Sequence, residues 1–342
     1  MSDKVKRQFA FFWDSMFCTK ERGNFMRNAA IAFRVRNGGL PLKSRRNCAI
    51  LAPHLRTYRR TMNLQGAHRA MTPVLKWAGG KTQLLDAIRA GMPDRYRTYY
   101  EPFVGGGAVF LSVAPRRAVI NDSNEQLMNA YRQLKAAPEL VIEKIRALDA
   151  VPCDKAFYLD MRKRYNLKIA RRELDPECAA LMIWLNKRCF NGLYRVNRKG
   201  LFNVPYNNGG PIRSIDRENA LSVGKFLQSA DISLSCADFE TACRDVSAGD
   251  FVYFDSPYVP VSETANFTSY TKDGFTWRDH ERLAALFRRL DAIGAKLMLS
   301  NHDAPTVRRL YDGFSIRSVA VKRMINRDAK KRTGQEVLIT NY

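Results

Sequence analysis

Two kinds of hydrophobic spacing alternate along the last two thirds of the chain. Short unbroken apolar runs stand at FVYF (251–254) and KLMLS (296–300), and RYRTYYEPF (95–103) and RRAVIND (116–122) carry similar aromatic or β-branched clusters. Runs of this length predict strands, and the wholly apolar ones predict strands covered on both faces, as in a parallel sheet. Other stretches repeat their apolar residues at helical spacing. WRDHERLAALFRRLDAIG (277–294) does so and stops at Gly294, a glycine-capped amphipathic helix. SNEQLMNAYRQLKA (123–136) opens with Ser123 and Asn124, either of which is placed to cap a helix.

Between the first two strands, VGGGAVFL (104–111) is a glycine-rich turn opening a helix, and the second strand ends in Asp122. Strand, glycine turn, helix, strand, acid is the order of a nucleotide-type binding unit in an open α/β sheet. Glycines let the backbone approach a ligand, the helix N-terminus faces it, and Asp122 is placed to take a ribose hydroxyl pair. The spacing is not G-x-G-x-x-G, and alone such a turn is a weak signal.

Residues 124 to 215 interrupt the alternation. Helical patterns (ALDAVPCDKAFYLDMRKRYNL, 147–167; ECAALMIWLNKRCF, 177–190) lead into an irregular basic stretch, NGLYRVNRKGLFNVPYNNGGPIR (191–213). This reads as an insertion into the sheet. Strands resume at ISLSCADFE (232–240), and SIRSVAVKRMI (315–325) and EVLITNY (336–342) flank a basic loop, NRDAKKRTG. The strands on both sides of the insertion are expected to form one sheet.

Charge changes the picture. The chain carries 57 Lys and Arg against 33 Asp and Glu, a net +24, which favours a polyanionic partner, most often nucleic acid. Half of that excess, +12, lies in residues 1–72, and the other +12 is spread over the remaining 270. The first 70 residues, with segments such as RVRNGGLPLKSRRN (34–47), lack sustained periodicity and are expected to be poorly ordered. A DNA-binding arm, an organelle presequence and translation starting in truth at Met71 all remain open for them. No apolar run is long enough to span a membrane. Seven cysteines without a C-x-x-C pair and four scattered histidines point to reduced structural thiols and no metal site.

KWAGGKT (76–82) resembles a Walker loop only superficially, because Leu75 stands where the first glycine is required and Pro73 interrupts the strand that should precede it.

DSPY, Asp255 to Tyr258, follows the apolar strand at 251–254 and so falls at a carboxyl end, where the chemistry of an α/β sheet resides. Methyl transfer to an exocyclic amino group needs two acceptors for its two protons, so that the nitrogen lone pair is released from the ring. The Asp255 carboxylate and the Ser256 carbonyl, stiffened by Pro257, supply them, and Tyr258 offers a ring to stack on an extruded base. Taken alone, D-S-P is also ordinary turn chemistry.

In company the motifs are specific. PVLKWAGGK, EPFVGGGAVF, NDSN, LNKRCFNGLYRVNRKGLFNVPY, DSPY, TANFTSY, SNHD and EVLITNY follow one another so that residues 73–342 closely resemble the Dam-type (alpha-class) DNA adenine methyltransferases. The resemblance implies a Rossmann-like α/β methyltransferase sheet using S-adenosylmethionine. Its catalytic domain would be 73–124 with 216–342, and 125–215 an inserted, mainly helical target-recognition domain. By that resemblance Trp77, Gly79, Lys81, Glu101, Phe103, Gly105, Asp122, Asp238, Phe239 and Asp255 line the cofactor pocket, and Asp255, Ser256, Pro257 and Tyr258 carry catalysis. Lys76, Phe190, Asn191, Leu193, Arg195 and Pro205 match residues that read GATC, with Lys187, Arg188, Arg198 and Lys199 on phosphates. The expected substrate is double-stranded DNA. A monomer in the bacterial cytoplasm is expected, nucleoid-associated or phage-encoded, with no membrane or metal partner.

Two departures stand out: Ser256 where the family usually has proline, and the basic extension. Alternatives are a silent DNA-binding module of the same fold and an amino-cytosine methyltransferase. A cytosine-ring enzyme would need a nucleophile such as Cys153 after Pro152, but that dipeptide lies in the helical insertion.

Overall fold

The computed structural model describes residues 70–210, 212–259, 274–322 and 333–342. Residues 1–69 of the basic extension, all of TANFTSY and the loop tip at 323–332 therefore lie outside the described residues. Seven strands form a single sheet in the order β3-β2-β1-β4-β5-β7-β6. They are β1 (Tyr99–Glu101), β2 (Arg117–Asn121), β3 (Asp231–Ser235), β4 (Phe251–Phe254), β5 (Lys296–His302), β6 (Ser315–Lys322) and β7 (Thr333–Thr340). The first five run parallel, and β7 enters antiparallel between β5 and β6. All four residues of β4 are buried, as its unbroken apolar run requires of a central parallel strand.

The chain steps outward from β1 to β2 and β3, then returns to place β4 on the other side of β1. The β1/β4 crevice is therefore the switch point, where ligands of open α/β sheets bind at the carboxyl ends. Short helices α1 (Leu85–Gly91) and α2 (Ala108–Val113) flank β1 in sequence. The helical segment between β2 and β3 comprises α3 (Glu125–Ala136), α4 (Pro138–Asp149), α5 (Lys155–Arg171), α6 (Pro176–Arg188) and α7 (Arg217–Ser229). Their buried side chains join those of β1 and β2 in one apolar cluster around Trp184, Tyr158 and Phe110. A second cluster, under α9 (Trp277–Ile293) and α10 (Pro305–Leu310), joins Val252, Phe254, Leu297 and Leu299.

Several elements differ from the sequence reading. The apolar pattern at 147–167 is two helices, because Pro152 interrupts it and the Asp154 side chain accepts the Phe157 N–H to start α5. ISLSCADFE is a strand only to Ser235; Asp238 caps a short helix α8 (Phe239–Ala242) by accepting the Glu240 N–H. β7 begins at Thr333, inside the expected loop, where cross-strand pairing with Lys322 extends the hairpin. The helix α7 has no counterpart in the sequence reading. Asn124, rather than Ser123, caps α3 through the Leu127 N–H.

Candidate active site

The glycine turn after β1 is pinned by groups from three segments. The Gly105 N–H donates to Asp122 Oδ2 at 3.1 Å, and the Tyr131 hydroxyl donates to the Gly105 carbonyl at 3.0 Å. Gly105 has φ +49°, and a Cβ there would lie 2.8 Å from Trp77 Cδ1, so only glycine fits between the turn and that indole. The other Asp122 oxygen accepts the Asn124 N–H. Burial nevertheless pushes the Asp122 carboxyl up to about 6, against the pull of those two amides.

Asn121, which sequence reasoning passed over, stitches the carboxyl ends of three strands. Its amide donates to the Pro102 and Ala237 carbonyls, and its oxygen accepts from Ser235 Oγ and the Ala237 N–H. Beyond it, the rings of Phe103 and Phe239 lie 5.4 Å apart, with Phe275 edge-on to Phe103. Asp238 is 43% exposed and paired with Arg282, whose guanidinium also lies 4.7 Å over the Phe239 ring. Glu101 is buried deeper than an exposed ligand hook would be. It accepts the Tyr99 hydroxyl at 2.6 Å, and burial holds its carboxyl well above the usual range.

Across the crevice, the tetrapeptide after β4 is built into the same region. Lys81 Nζ lies 2.6 Å from Asp255 Oδ1, and these side chains are 5% and 19% exposed. Ser300 Oγ donates to that same oxygen at 3.0 Å, while Oδ2 has no hydrogen bond among the described residues. One oxygen is anchored and the other is left for a donor. Burial raises the Asp255 carboxyl above its ordinary range, even though Lys81 and Ser300 pull it down. The Lys81 ammonium also bonds the Gly79 carbonyl and sits 4.6 Å from the Tyr258 ring centroid. Asn301 accepts the Val259 N–H, fixing the exit of the turn after Pro257. Ser256 is 2% exposed, and its hydroxyl has no partner among the described residues.

The basic segment after α6 folds back on itself through bridges at Cys189–Tyr206 and Val196–Phe202. Lys76 is brought to it: Asn186 accepts the Lys76 N–H and donates to the Lys76 and Gly192 carbonyls. A Cβ on Gly192 would strike the Lys76 side chain, which therefore lies along this turn. Trp77 stacks on Tyr194 with centroids 5.3 Å apart, so the first motif touches both the glycine turn and the basic segment. Phe190 is 50% exposed, and Asn191, Pro205, Arg198 and Lys199 are exposed as well. Leu193 is half-buried, and Lys187 is lowered by burial and by the neighbouring Lys76 charge. Arg195 donates its Nε–H to Asn203 Oδ1 at 2.9 Å. Arg188, expected on phosphate, is instead buried against Trp184 and paired with Asp149 at 2.7 Å. Its position on the inner face of α6 explains the difference.

Residues 77–325 match the family of D12 class N6 adenine-specific DNA methyltransferases. The chain belongs to this family. Among its relatives, the type II methyltransferase M1.LlaDCHI of Lactococcus lactis subsp. cremoris is 41% identical over 273 residues, covering 80% of this chain and 96% of the relative. The type II methyltransferase M.MjaIII of Methanocaldococcus jannaschii is 42% identical, over 79% of this chain and 99% of its own. A DNA adenine methylase of Vibrio cholerae is 35% identical, over 78% and 95% respectively. This D12-class chain is accordingly a DNA adenine-N6 methyltransferase, and the ATPase and cytosine-ring readings fall away. Cys153 agrees: burial raises its thiol, whereas a nucleophile needs a lowered one.

Proposed function

We propose that the chain transfers a methyl group from S-adenosylmethionine to N6 of adenine in GATC sites of double-stranded DNA, with the adenine extruded from the helix. The observation that carries this reading is the meeting, at the β1/β4 switch point, of a glycine turn held by Asp122 with an Asp255 carboxylate that has one oxygen unengaged among the described residues.

The residues fit the cofactor. Gly105, lacking a side chain, lets the turn close against Trp77, Asp122 offers an acid for a ribose diol, and Phe103 with Phe239 offers aromatic faces for a purine beside Asp238. Trp77, Gly79 and Glu101 complete the lining. Bound S-adenosylmethionine supplies an electrophilic methyl on sulfur. Asp255 Oδ2 accepts one N6–H of the adenine and the Ser256 carbonyl the other, which shifts the nitrogen lone pair out of the ring. Pro257 fixes that carbonyl, and Tyr258 stacks on the base. The raised basicity of a buried Asp255 suits it to hold the proton that the nitrogen loses. Ser256 keeps the carbonyl that the family's usual proline would provide.

Residues 125–215 act as the target-recognition domain and 73–124 with 216–342 as the catalytic one. Arg195, steadied by Asn203, has no hydrogen bond on its terminal nitrogens among the described residues, and these fork onto a guanine. Lys76 reaches a second guanine, Leu193 and Pro205 touch a thymine methyl, and Phe190 with Asn191 enters the gap in the stack. Lys187, Arg198 and Lys199 hold phosphates. The enzyme works as a monomer in the bacterial cytoplasm, nucleoid-associated or phage-encoded.

The test incubates the protein with labelled S-adenosylmethionine and two matched duplexes, one with GATC and one with that site scrambled. Nucleoside analysis should find label on adenine of the first alone. Label in both duplexes would end the GATC assignment, and label on cytosine would end the base assignment.

A further inference from the structure

Tyr258 is held from three directions by residues distant in sequence. Glu336 on β7 accepts its hydroxyl at 2.6 Å. Cross-strand pairing puts Glu336 opposite His302 of β5, whose ring meets Tyr258 edge-on with centroids 4.5 Å apart. Lys81 Nζ lies over the same ring. A phenol ring has two torsions to settle, and ring contacts alone leave it free to slide or tilt. A hydrogen bond at the far end, made stronger by the charge on its acceptor, removes that freedom. Glu336 is an expensive choice for packing alone, since a second carboxylate this near opposes ionisation of Asp255.

We propose that Glu336 is a positioning residue for methyl transfer: its carboxylate anchors the Tyr258 hydroxyl so that the ring stays oriented to receive the adenine. Glu336 acts through Tyr258 and touches neither substrate. The inference rests on the reading of Tyr258 as the ring that stacks on the base.

The experiment measures single-turnover methyl transfer to a GATC duplex, and KM for S-adenosylmethionine, in the wild-type full chain and in Glu336→Ala, Glu336→Gln, Tyr258→Phe, Tyr258→Ala and the Glu336→Ala/Tyr258→Phe pair. Loss of one hydrogen bond to a charged group predicts a rate lower by about tenfold or more in Glu336→Ala and in Tyr258→Phe, with KM for the cofactor unchanged. The double variant should be no slower than either single one, because both remove the same bond. Glu336→Gln, which keeps an acceptor oxygen, should recover most of the rate. Should Glu336→Ala fail to fold, as judged by thermal melting, Glu336→Gln and Tyr258→Phe still decide the matter: fast and slow respectively supports the anchor. A wild-type rate in Glu336→Ala or in Tyr258→Phe, additive losses in the pair, or a slow Glu336→Gln would each overturn it. A wild-type rate in Tyr258→Ala would instead remove the stacking reading, and this inference with it.

Discussion

At the carboxyl end of β4, Asp255 shares one oxygen between Lys81 and Ser300, Asn301 holds the turn's exit, and Tyr258 is gripped by residues of β5 and β7. In the 190–206 segment, by contrast, two isolated bridges and hydrogen bonds from Tyr158, Arg162 and Asn166 hold the backbone, while the side chains of Phe190, Asn191, Arg198, Lys199 and Pro205 face solvent. The difference suits the two tasks proposed for these regions. Methyl transfer gains from acceptors fixed in advance where water is scarce, since each interaction is then stronger and needs no reorganisation. Reading a DNA groove needs donors that stand out from the protein, and most of their order arrives with the partner. The Arg195 side chain is steadied by Asn203 and the Lys76 backbone by Asn186, which suits the base-reading roles proposed for them.

The contrast can be broken from the buried side first. Lys81→Met leaves the Asp255 carboxylate without its ion-pair partner and should lower stability by about 3 kcal/mol, read in denaturant melts. It should also move the pH profile. Burial already raises the Asp255 carboxyl, so the accepting form is lost as pH falls through that raised value and transfer rises with pH across it. Removing Lys81 takes away a downward pull, and the acid limb of the single-turnover rate should shift to higher pH. An unmoved limb would mean that Asp255 does not govern it.

On the exposed side effects should be smaller and divided by role. Arg195→Ala should lose roughly 1–3 kcal/mol of discrimination at one base pair, measured as the ratio of kcat/KM for cognate and single-substituted duplexes. Lys199→Ala should weaken all duplexes alike and reduce the slope of affinity against salt by about 1. If both changes behaved alike, the division between base-reading and phosphate-holding residues would collapse.

The sequence was legible where local chemistry and function coincide. Apolar runs ended by punctuating residues marked β1, β2 and β4, and the residues just past them, Gly105, Asp122 and Asp255, lie at the switch point. The supports of those residues were not legible. Glu336 is 78 residues from Tyr258 and Asn186 is 110 from Lys76, and only the strand order and the packing of α6 bring them together. SNHD was quoted as a motif, yet nothing in its spelling says that Ser300 would bond Asp255 or Asn301 the Val259 amide. Arg188 erred in the opposite direction, since a basic residue in a basic stretch looks exposed until the helix face it occupies is known.

The central claim is that Asp255 performs the transfer while the recognition segment does the binding. Single-turnover methylation of a GATC duplex by Asp255→Ala, with duplex affinity measured in parallel, tests it most directly. The account predicts that transfer is abolished and affinity stays near that of the wild type. Transfer persisting at a comparable rate would contradict it.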